Sequence, residues 1–345
     1  MRLRPVVFAT LAALALAACS GSSGNDAAST TTTVPEPAAA VATRSSGCGA
    51  TTPVAPGEEK VTTSSGGASR WYYRHVPPTY EATTPMPVVL DLHGYAEGAA
   101  VHKQMSALGP FGDPHGFVTV TPQGSGDSVA RWDTGLQSAD VKFIGDLLDE
   151  VERTVCVDQH RVFVTGLSNG AFMTSAVACK YADRIAAAAP VAGIRDIPGC
   201  KPARPVPVIT FHGTADPYVA YDGGLGEKAA DLPAGDGSGK TLGQIGAVDP
   251  KQKGPTIPEI TAAWAKRNGC GTKPTSRTVA ADVTLIAFPC PKDAEVELYR
   301  VTGGGHSWPG SQFSKAIAST VGPTTFSISA DDLIWKFFQQ HPLPS

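Results

Sequence analysis

Residues 161–179 restrict the fold more than any other part of this 345-residue chain. A β-branched run at 162–165 leads into Gly166-Leu167-Ser168-Asn169-Gly170, and the helical pattern of 171–179 follows at once. This reads as strand, sharp turn and helix. Small residues two before and two after the serine are what such a turn requires, because it brings neighbouring backbone into close approach. The pentapeptide alone carries little, since roughly 0.3 chance matches are expected in so glycine-rich a chain. Its place between a strand and a helix carries the weight.

The same grammar repeats along the chain. Apolar or β-branched runs at 70–76, 88–92, 117–121, 161–165, 186–191, 207–211 and 297–301 read as strands, several of them continuous enough to be buried on both faces. Between them, Ser138 can cap a helix whose Val141, Ile144, Leu148, Val151 and Val155 recur at three- and four-residue spacing, and 171–181, 258–268 and 330–340 read as further helices. Alternation of this kind predicts an α/β fold, a mostly parallel central sheet with helices on both faces. Residues 48–345 contain no internal repeat or second linker and read as one domain.

Charge excludes one large class of function. With 28 basic against 31 acidic side chains, a net charge of −3 and no Lys/Arg block, the chain lacks the basic stripe that supplies nucleic-acid affinity. No apolar run beyond the N-terminus approaches the ~20 residues of a membrane-spanning helix.

The N-terminus reads as a processing and anchoring segment. Arg2 and Arg4 precede an apolar stretch at 6–18, of signal-peptide length, which closes in Leu16-Ala17-Ala18-Cys19. Small residues directly before a cysteine resemble the lipobox of bacterial lipoproteins. Residues 1–18 are therefore expected to be cleaved and Cys19 to carry diacylglycerol, which places the chain outside the cytoplasm with a membrane as partner. Residues 19–47 are then the lipidated cysteine and a tether almost all of Ser, Gly, Thr, Ala, Pro and Val, with a mean reach of about 30 Å.

Six cysteines remain: Cys48, Cys156, Cys179, Cys200, Cys270 and Cys290. An even count in an exported chain suggests disulfides. Of the possible pairings, proximity favours Cys179 with Cys200 and Cys270 with Cys290, leaving Cys48 for Cys156. No pair shows C-x-x-C spacing and no H-E-x-x-H occurs, so no metal and no cofactor are expected.

Residues 221–256 break the strand–helix alternation with glycine, proline and no apolar period, and read as an insertion or flap near the site. Within them, 234–241 match a loose phosphate-loop pattern. A phosphate loop follows a buried strand and opens a helix, whereas this stretch is flanked by Pro233 and by Gly243 and Gly246. Nucleotide binding is set aside.

A serine hydroxyl needs a base to take its proton and an acid to orient that base, and after a turn of this kind they follow in the order serine, acid, histidine. Ser168 is the candidate nucleophile. Of His212, His306 and His341, the base is His306, which follows the 297–301 strand in a glycine-rich loop. The acid is Asp216, directly after the 207–211 strand, with Asp222 as runner-up and Asp231, Asp236 and Asp249 deeper in the insertion. The strand at 88–92 ends in His93-Gly94-Tyr95, where a backbone amide can face a carbonyl oxygen, so the Tyr95 and Asn169 N–H groups are the candidate oxyanion donors. His93 reads as a buried histidine that orients this loop. Trp132, Trp308 and Tyr95 are candidate walls for an acyl or phenolic group.

Together His93-Gly94-Tyr95, Gly166-Leu-Ser-Asn-Gly170, His212-Gly-Thr-Ala-Asp216 and Gly304-Gly-His-Ser-Trp-Pro-Gly310 resemble the polyhydroxybutyrate depolymerase/feruloyl esterase family, including its actinobacterial lipoprotein esterases. The resemblance covers 48–345. It implies an α/β-hydrolase fold with Ser168, Asp216 and His306 as nucleophile, acid and base, and a bond between Cys270 and Cys290. It also implies a small or polymeric feruloyl, acetyl or hydroxyalkanoate ester as substrate. Residues 223–254 are longer than that part of the family pattern and are expected to reshape or cover the acyl pocket. The competing readings are a serine peptidase of the same fold and a surface carbohydrate-binding protein with an inactive hydrolase fold.

Overall fold

Continuous apolar runs become the buried centre of a sheet, as their two-sided burial demands. A computed structural model describes residues 43–126 and 128–344. Cys19, the 1–18 leader and the tether as far as residue 42 lie outside them. The strands are β1 (Gly57–Ser65), β2 (Ala68–Val76), β3 (Met86–Leu92), β4 (Val118–Pro122), β5 (Val157–Leu167), β6 (Ala188–Val191), β7 (Val208–Gly213), β8 (Thr275–Ala280), β9 (Val283–Ala287) and β10 (Val296–Val301). They form one sheet in the order β1-β2-β4-β3-β5-β6-β7-β10-β9-β8. The six from β4 to β10 in that order run parallel, and antiparallel pairs close both edges.

Seven strands fall at the expected runs. Strands β1, β8 and β9 were not expected. β1 (GEEKVTTSS) and β8 (TSRTVA) are edge strands, largely solvated, so no apolar run marks them.

Helices cover both faces: α1 (Ala99–Ser106), α2 (Leu108–His115), α3 (Ala139–Thr154), α4 (Asn169–Lys180), α5 (Glu227–Ala230), α6 (Ile257–Arg267), α7 (Gln312–Ala316), α8 (Ala318–Val321) and α9 (Ala330–Gln340). The four expected helices are α3, α4, α6 and α9. Ser138 Oγ accepts from the Val141 N–H to start α3, and Thr256 and Glu259 form a reciprocal capping box on α6. Alternation along the strands divides the core. Val88, Leu90 and Leu92 of β3 and Val162 and Val164 of β5 pack with α3, α4 and α6. Val89 and Phe163, between them, face the other way onto α1, α2 and α9. Each such fully buried side chain contributes about 1.5–3 kcal/mol.

The three disulfides pair as proximity favoured: Cys48–Cys156, Cys179–Cys200 and Cys270–Cys290. The tether boundary needs correction. Residues 43–47, read as tether, are docked on the body: the Ser45 N–H donates to the Val157 carbonyl at 3.0 Å and the Gly47 N–H to the Glu152 carbonyl at 2.8 Å. A Cβ on Gly47 would lie 2.2 Å from the Val155 carbonyl oxygen, a backbone approach that composition does not reveal.

Candidate active site

Parallel strands place their following loops on one edge of the sheet, and β3, β5, β7 and β10 deliver the four candidate segments there. At the end of β5, Ser168 sits at φ 60°, ψ −119°, a left-handed conformation costing a non-glycine residue about 1–3 kcal/mol. Its neighbours explain how the turn persists. A Cβ on Gly170 would come 2.0 Å from the Leu92 carbonyl oxygen, and one on Gly166 would come 2.6 Å from the same atom. The turn is therefore clamped against the end of β3, and the Ser168 N–H donates to the Val191 carbonyl at 2.9 Å. Ser168 remains partly exposed, and its Oγ makes no hydrogen bond to another described residue.

Asp216 follows β7 and is buried. One oxygen, Oδ1, accepts from the Tyr218 and Val219 N–H groups at 2.8 and 2.9 Å; the other, Oδ2, accepts from His306 Nδ1–H at 2.7 Å. Burial opposes its charge, but the His306 imidazole beside it outweighs that cost and holds the carboxyl below the ordinary carboxylate range. His306 reaches this position because the loop after β10 lies directly on the end of β7. The Ala215 N–H donates to the Gly304 carbonyl at 2.9 Å, and a Cβ on Gly213 would lie 2.1 Å from that oxygen. Among the other acid and base candidates, His212 reaches the acid, its Nε2 3.4 Å from Asp216 Oδ2. Asp222 is exposed, and His341 lies beside Glu295 at the start of β10, the opposite edge. His212 Nε2–H donates to the Val219 carbonyl at 2.9 Å, and burial lowers its pKa.

His93 orients its loop as expected. Nδ1–H donates to the Gly94 carbonyl at 2.8 Å and Nε2 accepts from the Gly124 N–H at 2.9 Å, so the ring is a neutral, satisfied imidazole whose pKa burial lowers to about 4. No hydrogen bond engages the Tyr95 or Asn169 N–H among the described residues. Both amides border the serine turn. An arrangement of partly exposed serine, Asp–His pair and unengaged amides can perform acyl transfer.

The aromatic walls need correction. Trp308 is fully buried in the core, its Nε1–H on Asp331 Oδ1 at 2.9 Å and its ring edge-on to His102, so it lines no open pocket. Trp132 is also buried and acts as a strut, its Nε1–H donating to the His93 carbonyl at 2.9 Å. The Tyr95 hydroxyl is turned onto the 221–256 segment, donating to the Pro233 carbonyl at 2.8 Å. That segment is more ordered than its composition suggests. It contains α5 and a Pro233–Thr241 bridge, and Lys228 Nζ on the Ser319 and Thr320 carbonyls ties its other side to α8. The 234–241 stretch is the loop enclosed by that bridge, with neither strand before it nor helix after it.

Two features near the serine escaped the sequence. Tyr218 places its ring 5.0 Å from that of His306. A buried network supports the oxyanion loop: Glu97 Oε2 accepts from the Gly94 N–H at 2.5 Å, and His102 lies between Glu97 at 3.1 Å and Asp91 at 2.7 Å. Burial disfavours the imidazolium, but the two carboxylates outweigh it and raise His102 to about 10. No local pattern marks these residues, because their partners meet only in the fold.

A serine on a strained strand-to-helix turn at the edge of an open, mostly parallel sheet, with an Asp–His pair on loops of the same edge, defines an α/β-hydrolase. The chain is 31% identical over 267 residues to "Putative esterase NocK" of Nocardia uniformis subsp. tsuyamanensis, covering 73% of each protein. It is 30% identical over 230 residues to feruloyl esterase B of Piromyces equi, covering 64% of this chain and 39% of that longer protein. The chain belongs to the polyhydroxybutyrate depolymerase/feruloyl esterase family of carboxylic ester hydrolases. Among solved structures, the acetyl xylan esterase from Aspergillus awamori superposes with a TM-score of 0.50 at 17% identity, over 76% of this chain and 98% of that one, a likeness of fold. No family model matches the chain.

Proposed function

We propose that the chain is an exported serine esterase that cleaves carboxylic esters of feruloyl, acetyl or hydroxyalkanoate type through an acyl-enzyme. Ser168 Oγ attacks the ester carbonyl as His306 Nε2 takes its proton, and the alcohol leaves with that proton. Water, activated by the same imidazole, then releases the acid. The Tyr95 and Asn169 amides hold the oxyanion, and Asp216 keeps the imidazole in the Nδ1–H tautomer. The observation that supports this most is the 2.7 Å bond from His306 Nδ1–H to buried Asp216, on the same sheet edge as a serine on a strained turn. Cleavage after residue 18 and lipidation of Cys19 would hold the enzyme on the outer face of the cytoplasmic membrane.

Fluorophosphonate labelling of the wild type and Ser168→Ala tests the mechanism: label on the wild type alone is expected. Absence from both, or persistence in the variant, overturns it. A panel of feruloyl, acetyl and 3-hydroxybutyrate esters then ranks the acyl groups.

A further inference from the structure

Arg195 lies on the loop that follows β6, beside the serine turn. Two residues earlier, a Cβ on Gly193 would come 2.6 Å from the Ser168 carbonyl oxygen and 3.0 Å from the Phe172 ring. The Arg195 main chain is held on both sides, its N–H donating to Ser175 Oγ at 3.1 Å and its carbonyl accepting from Trp264 Nε1–H at 2.7 Å. The guanidinium is thereby fixed over the Phe172 ring, 4.1 Å from its centroid and one helical turn along α4 from Ser168.

Among the described residues this guanidinium has no hydrogen-bonding or ionic partner: none accepts a hydrogen bond from it and no carboxylate lies within 4.0 Å. Arg70, Arg74, Arg184 and Arg267 each sit on a carboxylate, and Arg204 on three backbone carbonyls. Burial lowers the Arg195 pKa, yet arginine stays charged in proteins. A partly desolvated cation left unpaired is costly, and its planar fork matches a carboxylate.

Arg195 lines a cavity of about 230 Å³, whose other walls come from the 221–256 segment and include Gly224, Leu225, Val248, Asp249 and Lys253. Asp249 also lines the cavity but forms no ion pair with the guanidinium, and its Oδ1 accepts from the Lys251 N–H at 2.9 Å. Leu225 pairs with Val219, whose N–H binds Asp216, so the cavity shares a wall with the turn that holds the acid. We propose that Arg195 and this cavity form a subsite for a carboxylate carried by the ester substrate, so that acidic esters are preferred over neutral ones of equal length. The proposal rests on the serine-esterase reading and names the substrate class for it.

The test compares monomethyl with dimethyl esters of succinic, glutaric and adipic acids, and O-acetyl hydroxy acids with their methyl esters. The wild type is expected to favour the acidic member by about tenfold or more in kcat/KM. Arg195→Gln should abolish the ratio and Arg195→Lys restore part of it, with melting curves to verify folding. Equal rates in the wild type, or a ratio that survives Arg195→Gln, overturn the subsite while ester hydrolysis itself stands. If no ester is hydrolysed the esterase reading fails, and calorimetric titration of the Ser168→Ala chain with glutarate decides the subsite separately. Binding that Arg195→Gln removes supports it, and no binding overturns it.

Discussion

Asn169 and Trp132 exchange two hydrogen bonds: Asn169 Oδ1 accepts from the Trp132 N–H at 2.7 Å, and Asn169 Nδ2–H donates to the Trp132 carbonyl at 3.2 Å. The residue after the candidate nucleophile is thus stitched to the loop whose indole holds the His93 carbonyl. Asn169→Ala removes both bonds and should cost about 1–2 kcal/mol of stability. Looser oxyanion geometry should lower kcat about tenfold with little change in KM. Urea melts and steady-state kinetics check the two effects.

Strain at Ser168 separates two inactive variants. Ser168→Ala keeps a Cβ at φ 60°, whereas Ser168→Gly removes it, so the glycine variant should be the more stable by about 1 kcal/mol. Chemical denaturation of both variants measures the difference, and equal stabilities would mean the turn is unstrained.

Asp216→Asn preserves an acceptor for the Tyr218 and Val219 amides but no longer fixes the tautomer of His306. It should fold normally and lose about 10⁴-fold in kcat. A loss below about tenfold would remove Asp216 from the mechanism.

His102 makes stability depend on alkaline pH. Its pKa is raised from the ordinary 6.5 to about 10, so its contribution is complete below about 6.5 and is lost as the pH rises through about 10. Unfolding free energy should fall between pH 7 and 10 in the wild type, and His102→Gln, weaker at pH 7, should flatten that decline.

The Cys48–Cys156 bond spans a sequence separation of 108, against 21 and 20 for the other two. On chain entropy its removal should cost about 4–5 kcal/mol, against about 3 for either short bridge. Paired Cys→Ala variants, compared by denaturant midpoint, test the order.

Much of the fold was legible because its determinants are local. Residues 88–92 and 207–211 announce buried strands by largely apolar and β-branched runs, Ser138 announces a helix start, and Gly166 and Gly170 bracket the serine turn. β1 was not legible, since an edge strand needs no apolar run. Trp308 misled for a related reason. It lies two residues from His306, as a substrate wall could, but its polar partner is Asp331, far along the chain.

The amino-acid sequence by itself determined the mostly parallel α/β architecture, the serine, acid and histidine candidates in their order, and the even set of cysteines that pair. These follow from periodicity, from turn sterics and from counting, all properties of neighbouring residues. Only the tertiary structure decided what each polar group meets. It turned Trp132 and Trp308 into supports, brought residues 43–47 onto the body, locked Gly94 to Glu97 and left the Arg195 guanidinium without a carboxylate among the described residues. Hydrogen bonds and ion pairs act over about 3–4 Å in space whatever the separation in sequence, so a side chain's role is undefined until the sheet has brought its neighbours together.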